Sequence, residues 1–196
     1  MRALVVHAHP DPDSFSAALV GAVSQGLRSA GHEARVIDLY DEGFTAAMST
    51  AERLAYHEAT PIIDEQVRTH AEHVRWAEAI VFVYPTWWGG MPAVMKGWLE
   101  RVLVPGVAFR LDDHDKVRPG MQHVRRLMGV STYGSRRLYV ALMNDGGRRT
   151  INRTLRMSCG WRTRTTWLGL YDMDHSTSDG RHAFLAKVEH TAGRLR

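Results

Sequence analysis

Residues Ala79–Tyr84 read Ala-Ile-Val-Phe-Val-Tyr, so both alternating sets of side chains are apolar or aromatic. A strand with one face in water alternates apolar with polar residues. A run that is apolar at every position therefore predicts a strand buried on both faces. Such strands occupy the middle of parallel sheets that carry helices on both sides. The run is also far shorter than the ~20 residues needed to cross a bilayer, so we expect no stable membrane insertion.

The rest of the chain alternates strand patterns with helix patterns. Short β-branched runs predict four further strands, at 4–6, 34–39, 124–130 and 165–171. Helical spacing of apolar residues predicts helices between Ser14 and Gly31, over 51–77 with a break at Pro61, over 91–103 and over 183–195. The alternation predicts a doubly wound α/β fold, with a five-stranded parallel sheet and helices on both faces. We expect one domain over residues 1–196.

Composition excludes several classes of protein. Apolar residues make up 44% of the chain and charged residues 23%, which excludes wholesale disorder. The single cysteine, Cys159, cannot form an intramolecular disulfide. The chain turns polar at His7, too early for a signal peptide, so we expect a cytoplasmic protein.

The net charge of +4 hides a split between an acidic first half and an arginine-rich second half. The arginine pairs 125–126, 136–137 and 148–149 do not lie in a recognisable nucleic-acid-binding motif, so we expect no nucleic-acid partner. Arg136, Arg137, Arg148 and Arg149 are candidates to attract the phosphates of an anionic ligand.

Three loops follow predicted strands one, three and four: His7–Ser16, Pro85–Gly90 and Ser131–Ser135. In the strand order 2-1-3-4-5 these strands are neighbours, and ligands of doubly wound sheets bind beyond the carboxyl ends of the strands. The first loop ends at a helix N-terminus, which favours an anion such as a phosphate. Its alternative interpretation is a capped helix with a solvent-exposed histidine.

The second loop contains two adjacent tryptophans and two glycines, in the order Trp87-Trp88-Gly89-Gly90. Neighbouring side chains diverge, so the pair favours a stacking platform for a planar ligand, with glycines that allow close approach. The alternative, packing beneath the sheet, is acceptable for one of the two tryptophans but is less favoured than stacking for both. The third loop clusters hydroxyl and amide donors, which suit negative charge at a ligand edge, although alone it reads as a polar turn.

Four stretches resemble the NAD(P)H:quinone oxidoreductases, which are flavodoxin-like flavoproteins. They are Ala8-His9-Pro10 with Ser14-Phe15, the tripeptide Asp38-Leu39-Tyr40, residues 85–103, which follow the pattern P-x-x-W-x-G-x-P-A-x-x-K-G-W, and Gly106-Val107-Ala108-Phe109. The resemblance runs from residue 3 to about residue 145. It implies the flavodoxin-like strand order 2-1-3-4-5, a bound flavin, reduction by NAD(P)H, and hydride transfer to a quinone.

The resemblance also implies which residues contact the cofactor. They are His9, Ser14, Phe15 and Ser16 on the phosphate side; Pro85, Thr86, Trp87, Trp88 and Gly89 at the ring edge; and Ser131, Thr132, Tyr133 and Gly134 in the third loop. The family's catalytic tyrosine falls on Tyr139, while its histidine falls on Asp145. Two further departures are Ser16, where many members have Asn, and Tyr133, where Gly is common. FMN is the expected flavin and FAD the alternative, and the family implies a homodimer with the active site at the interface.

Two other functions remain open from the sequence. The same flavin residues would serve an ancillary flavoprotein that regulates a membrane potassium-efflux transporter. A more distant alternative is a zinc-dependent deacetylase, because those enzymes carry Ala-His-Pro-Asp-Asp after the first strand and residues 8–11 begin in that way. Here Pro12 replaces the second acid, and the pair His70 and His73 fits a solvated helix face better than a metal site.

Overall fold

The computed structural model describes residues 1–114 and 116–196, and its main sheet has five parallel strands in the spatial order β2-β1-β3-β6-β7. The strands are β1 (Arg2–His7), β2 (Glu33–Asp38), β3 (Ala79–Pro85), β6 (Arg126–Thr132) and β7 (Arg164–Leu170). Two short strands, β4 (Phe109–Leu111) and β5 (Val117–Pro119), form a separate antiparallel hairpin that was not predicted. Without the hairpin, the order is the predicted 2-1-3-4-5.

Helices connect the strands and cover both faces of the sheet. They are α1 (Phe15–Ser29), α2 (Thr50–Ala55), α3 (Glu65–Trp76), α4 (Ala93–Val102), α5 (Arg137–Leu142), α6 (Gly146–Arg149), α7 (Arg156–Cys159) and α8 (Ser178–Ala192). A π-helical segment, Thr150–Leu155, joins α6 to α7, and a 3₁₀ turn, Met173–His175, precedes α8. None of the helices in the described part of the chain is long and apolar enough to cross a membrane.

The central position of β3 is confirmed, since all seven of its residues are buried and it pairs with β1 on one side and β6 on the other. Its side chains alternate between two hydrophobic cores. Ile80, Phe82 and Tyr84 face the core formed with α3, α4 and the π-helical segment. Val81 and Val83 face the core formed with α1 and α8. Burial of each such apolar side chain contributes roughly 1.5–3 kcal/mol, so this strand anchors both layers.

Several predicted bounds shift. The fourth strand of the sheet begins at Arg126 rather than at residue 124, because its register is set by β3, with Arg126 opposite Ala79 and Thr132 opposite Pro85. Ser131 and Thr132 therefore end strand β6, although their residue types predict the third loop. The helix predicted over 51–77 is two helices, α2 and α3, separated by the segment that contains Pro61. The closing helix begins at Ser178, where Thr177 caps it.

Candidate active site

The three loops lie side by side at the carboxyl edge of the sheet, because β1 pairs with β3 and β3 pairs with β6, all in parallel. Two contacts tie the loops to one another. The ring of His9 in the first loop lies 6.0 Å from the ring of Trp87 in the second. The hydroxyl of Thr86 in the second lies 2.8 Å from that of Ser131, at the end of β6. The predicted convergence of the three segments is therefore present.

In the first loop, Ser14 caps helix α1 by accepting a hydrogen bond from the Ala17 N–H at 3.2 Å. The remaining first-turn N–H groups have no acceptor within the helix, which is the general basis for anion binding at such a position. Ser16 is buried, and its hydroxyl lies 3.1 Å from Nε2 of His7. His7 in turn donates its Nδ1–H to the Asp38 carboxylate at 2.7 Å. The buried His7, itself bonded to Asp38, thus fixes the position of the Ser16 hydroxyl.

The second loop is a tight turn with left-handed backbone at both central residues. Trp87 and Gly90 exchange backbone hydrogen bonds of 3.1 and 3.0 Å, while Trp88 has φ 50° and Gly89 has φ 70°. Positive φ at both central positions defines a type I′ turn, which Gly accepts and a bulky residue resists. Trp88 is fully exposed and Trp87 is 39% exposed. The alternative in which one tryptophan packs beneath the sheet is therefore wrong.

In the third loop, Tyr133 turns inward. Its ring stacks on Tyr171 with centroids 4.5 Å apart, and its hydroxyl donates to the Asp145 carboxylate at 3.0 Å. Burial raises the pKa of Tyr133 well above its usual range, and the nearby Asp145 charge adds to this effect. Tyr133 is therefore a neutral hydrogen-bond donor at any ordinary pH.

A cavity of about 290 Å³ lies between the second and third loops and helix α5. Six of the predicted residues line it: Thr86, Trp88, Gly89, Tyr133, Gly134 and Tyr139. Tyr139 is 57% exposed and lies on α5, at the wall of the cavity. The Gly146 N–H donates to the Gly89 carbonyl at 3.1 Å, which fixes the spacing between two of the walls.

The other predicted residues do not line this cavity. Pro85, Trp87, Ser131 and Thr132 belong to the strand ends and turn behind it, while His9, Ser14, Phe15 and Ser16 lie in and just after the first loop, at the neighbouring strand. Four lining residues were not named as contacts: Ser135, Val140, Met143 and Asp145. Val140 and Met143 were missed because α5 was not predicted, so no helical face could be assigned to them. None of Arg136, Arg137, Arg148 and Arg149 lines the cavity.

The pair His70 and His73, which was weighed for the zinc alternative, lies on helix α3. His70 is buried, accepts a hydrogen bond from the Trp98 indole N–H at 3.1 Å, and pairs with the Glu42 carboxylate at 2.7 Å. It is a core histidine whose two ring nitrogens are both engaged. Within residues 1–114 and 116–196, no group of three or more His, Cys, Asp or Glu side chains is arranged to hold a metal ion.

A five-stranded parallel sheet in this order, with a ligand-sized cavity beyond its carboxyl edge, defines the flavodoxin-like class of α/β proteins. Comparison with known proteins gives the same class, because residues 1–161 match the family described as having a flavodoxin-like fold. A solved NAD(P)H:quinone oxidoreductase from Methanothermobacter marburgensis is 25% identical, with a TM-score of 0.84 over 100% of this chain and 96% of that one. An FMN-dependent NADH-azoreductase from Bacillus anthracis, solved with FMN, shares the fold at a TM-score of 0.76 and 14% identity, over 99% and 98% of the two chains.

Curated relatives indicate which family within the flavodoxin-like class the chain resembles. The rat NAD(P)H dehydrogenase [quinone] 1 is 30% identical over 204 residues, covering 92% of this chain and 72% of the relative. A Penicillium crustosum protein named ribosyldihydronicotinamide dehydrogenase-like protein traD is 32% identical over 139 residues, covering 61% of this chain. The match spans 50% of that fungal protein. The chain therefore belongs to the flavodoxin-like family of NAD(P)H:quinone oxidoreductases.

Proposed function

We propose that this chain is a flavin-dependent enzyme that transfers a hydride from NAD(P)H to a quinone or a similar planar electrophile. The observation that carries the proposal is the cavity between the second and third loops, at the edge of the sheet where flavodoxin-like proteins bind their ligands. Its size of about 290 Å³ suits a planar ring system at the lower end of ligand-site volumes.

The residues present fit a flavin. The exposed Trp88 ring and the glycines beside it offer a surface on which a ring can stack. The first-turn N–H groups of α1 and the imidazole of His9 suit a phosphate. FMN is our first candidate because it is the cofactor of the azoreductase that shares this fold, and FAD is the alternative.

When bound, the flavin would supply hydride acceptance and donation at one site. The protein's part is to orient the rings, exclude water and provide hydrogen-bond donors. Tyr139 lines the cavity, so we assign its hydroxyl the role of an orienting donor to the ring ligand. Tyr133 cannot share that role, because its hydroxyl already donates to Asp145.

We also propose a homodimer whose interface completes the active site. Trp88 and Met143 line the cavity, Leu138 and Leu142 lie on helix α5, and all four of these large apolar side chains are exposed. Large exposed apolar residues that form a patch mark an interaction surface. A second copy of the chain would cover them and close the cavity from solvent. A cytoplasmic location remains our prediction.

The decisive experiment is stopped-flow spectroscopy of the purified, flavin-loaded protein. We expect NADPH or NADH to bleach the flavin absorbance, and a quinone such as menadione to restore it. A flavin that neither nucleotide reduces would overturn the oxidoreductase proposal. Rapid reduction by NAD(P)H but no reoxidation by any quinone or azo compound would instead favour the regulatory alternative. Chromatography of the acid-released cofactor decides between FMN and FAD.

A further inference from the structure

Asp145 is the one charged side chain among the described residues that line the cavity. Three features hold it there. Its carboxylate accepts the Tyr133 hydroxyl at 3.0 Å and the Arg148 backbone N–H at 3.3 Å. Its backbone is left-handed, with φ 38°, a conformation that Asp tolerates better than most residues. The carboxylate is therefore fixed in position in the wall of the cavity, next to the space that a ligand would occupy.

Among the lining residues that the structure describes, no cation offsets this charge. Both groups that donate to Asp145 are neutral, one a phenol and the other a peptide N–H. Arg136 is paired with Asp172 at 3.2 Å. The side chains of Arg148 and Arg149 are exposed, so solvent screens them. A ligand in the cavity consequently experiences a net negative field from a partly buried group.

We propose that Asp145 is a specificity-determining residue that makes this site favour ring ligands carrying a positive charge and disfavour ring ligands carrying a negative one. The inference rests on the proposed function, which gives the substrate class as a planar electron acceptor. It adds the sign of the charge that the preferred substrate carries. The resemblance to the family had placed a histidine at this position. A carboxylate there has the opposite electrostatic effect from a protonated imidazole and cannot stabilise an anion.

The test measures equilibrium binding to the flavin-loaded protein by calorimetry, in the absence of NAD(P)H, so that no turnover occurs. Three naphthoquinones of similar ring size serve as probes: neutral menadione, the anionic 2-sulfonate and a cationic 2-(trimethylammonio)methyl derivative. We expect the wild-type protein to bind the cation more tightly than the anion at low ionic strength. The Asp145→Asn substitution should reduce the ratio of the two dissociation constants about tenfold, the size expected for a partly screened charge several ångströms away.

Asparagine keeps the acceptor for Tyr133 and tolerates the same backbone conformation, so the variant isolates the charge. A control variant separates this charge from carboxylates elsewhere on the protein. Glu33→Gln removes a carboxylate at the amino end of β2, away from the cavity, and should keep the ratio within about twofold.

The proposal is overturned if Asp145→Asn weakens all three probes equally or leaves the ratio unchanged. A second measurement needs no variant, because raising the salt concentration should shrink the wild-type ratio through screening. A ratio that does not respond to salt would also overturn it. If NAD(P)H fails to reduce the flavin while the charge preference persists, the proposed function is wrong and the charge preference stands.

Discussion

Trp88 has a left-handed backbone conformation, which is unfavourable for a residue with a side chain. This conformation allows a direct test of the structure. The residue has φ 50° and a fully exposed indole, so the turn is held by backbone hydrogen bonds rather than by packing of this side chain. We compare Trp88→Gly with Trp88→Ala. Both substitutions remove the indole and any contact it makes, so the difference between them reports the backbone alone.

A left-handed conformation costs an L-residue such as Ala about 1–2 kcal/mol, and Gly avoids this cost. Gly loses more chain entropy on folding than Ala, by roughly 0.5–1 kcal/mol. We therefore expect Trp88→Gly to be more stable than Trp88→Ala by about 0.5–1 kcal/mol. For a chain of this size the melting temperature should be higher by about 1–4 °C.

The assay is urea unfolding followed by circular dichroism, with thermal melts as a second readout. Gly21→Ala is the matched control, because Gly21 lies in helix α1 with open space around it and ordinary helical backbone. There Ala should be more stable than Gly, by roughly 0.5–1 kcal/mol. If Ala is also the more stable residue at position 88, the turn is not the type I′ turn described above and the strain argument fails.

Three further substitutions test other parts of the structure. In Gly97→Ala the new methyl carbon would lie 2.2 Å from the Ala46 carbonyl oxygen, so we expect a loss of at least about 1–3 kcal/mol in urea unfolding. Tyr133 stays neutral when folded because its pKa is raised above the ordinary 10.0, whereas the unfolded chain can ionise it. Stability should therefore fall as pH rises past about 10, and Tyr133→Phe should lessen that fall in melts between pH 8 and 11. Arg101→Met leaves Glu52 buried without its partner at 2.7 Å and should cost about 3–5 kcal/mol, also measured by urea unfolding.

The sheet was predictable because its central strand has an apolar residue at nearly every position. In β3, both alternating sets of side chains are apolar, and that pattern permits few environments other than the middle of a parallel sheet. The bounds of β6 were less predictable. Arg125 and Arg126 interrupt its pattern, and its register depends on β3, which local sequence does not encode. The hairpin of β4 and β5 was missed because each strand has only three residues.

The cavity was only half predictable, for a related reason. The second and third loops are marked by unusual residues, Trp87-Trp88 after β3 and the polar run Ser131–Ser135 at the end of β6. Helix α5 has six residues, too few for a helical period to stand out, so its cavity-lining face was not predicted. The pairing of Tyr133 with Asp145 joins residues 12 positions apart through a side-chain contact that no spacing rule indicates.

The strained backbone in this chain is concentrated at the cavity. Within the described ranges, four non-glycine residues have positive φ: Trp88, Asn144, Asp145 and Asp172. Trp88 and Asp145 line the cavity, Asn144 precedes Asp145, and the Asp172 N–H donates to the carbonyl of the lining residue Ser135 at 3.1 Å. Each such conformation costs of order 1–3 kcal/mol and persists only where surrounding contacts hold it. The bond from Gly146 to Gly89 joins two of these strained segments, so the cavity walls are fixed before any ligand arrives, and binding need not supply the free energy of shaping them.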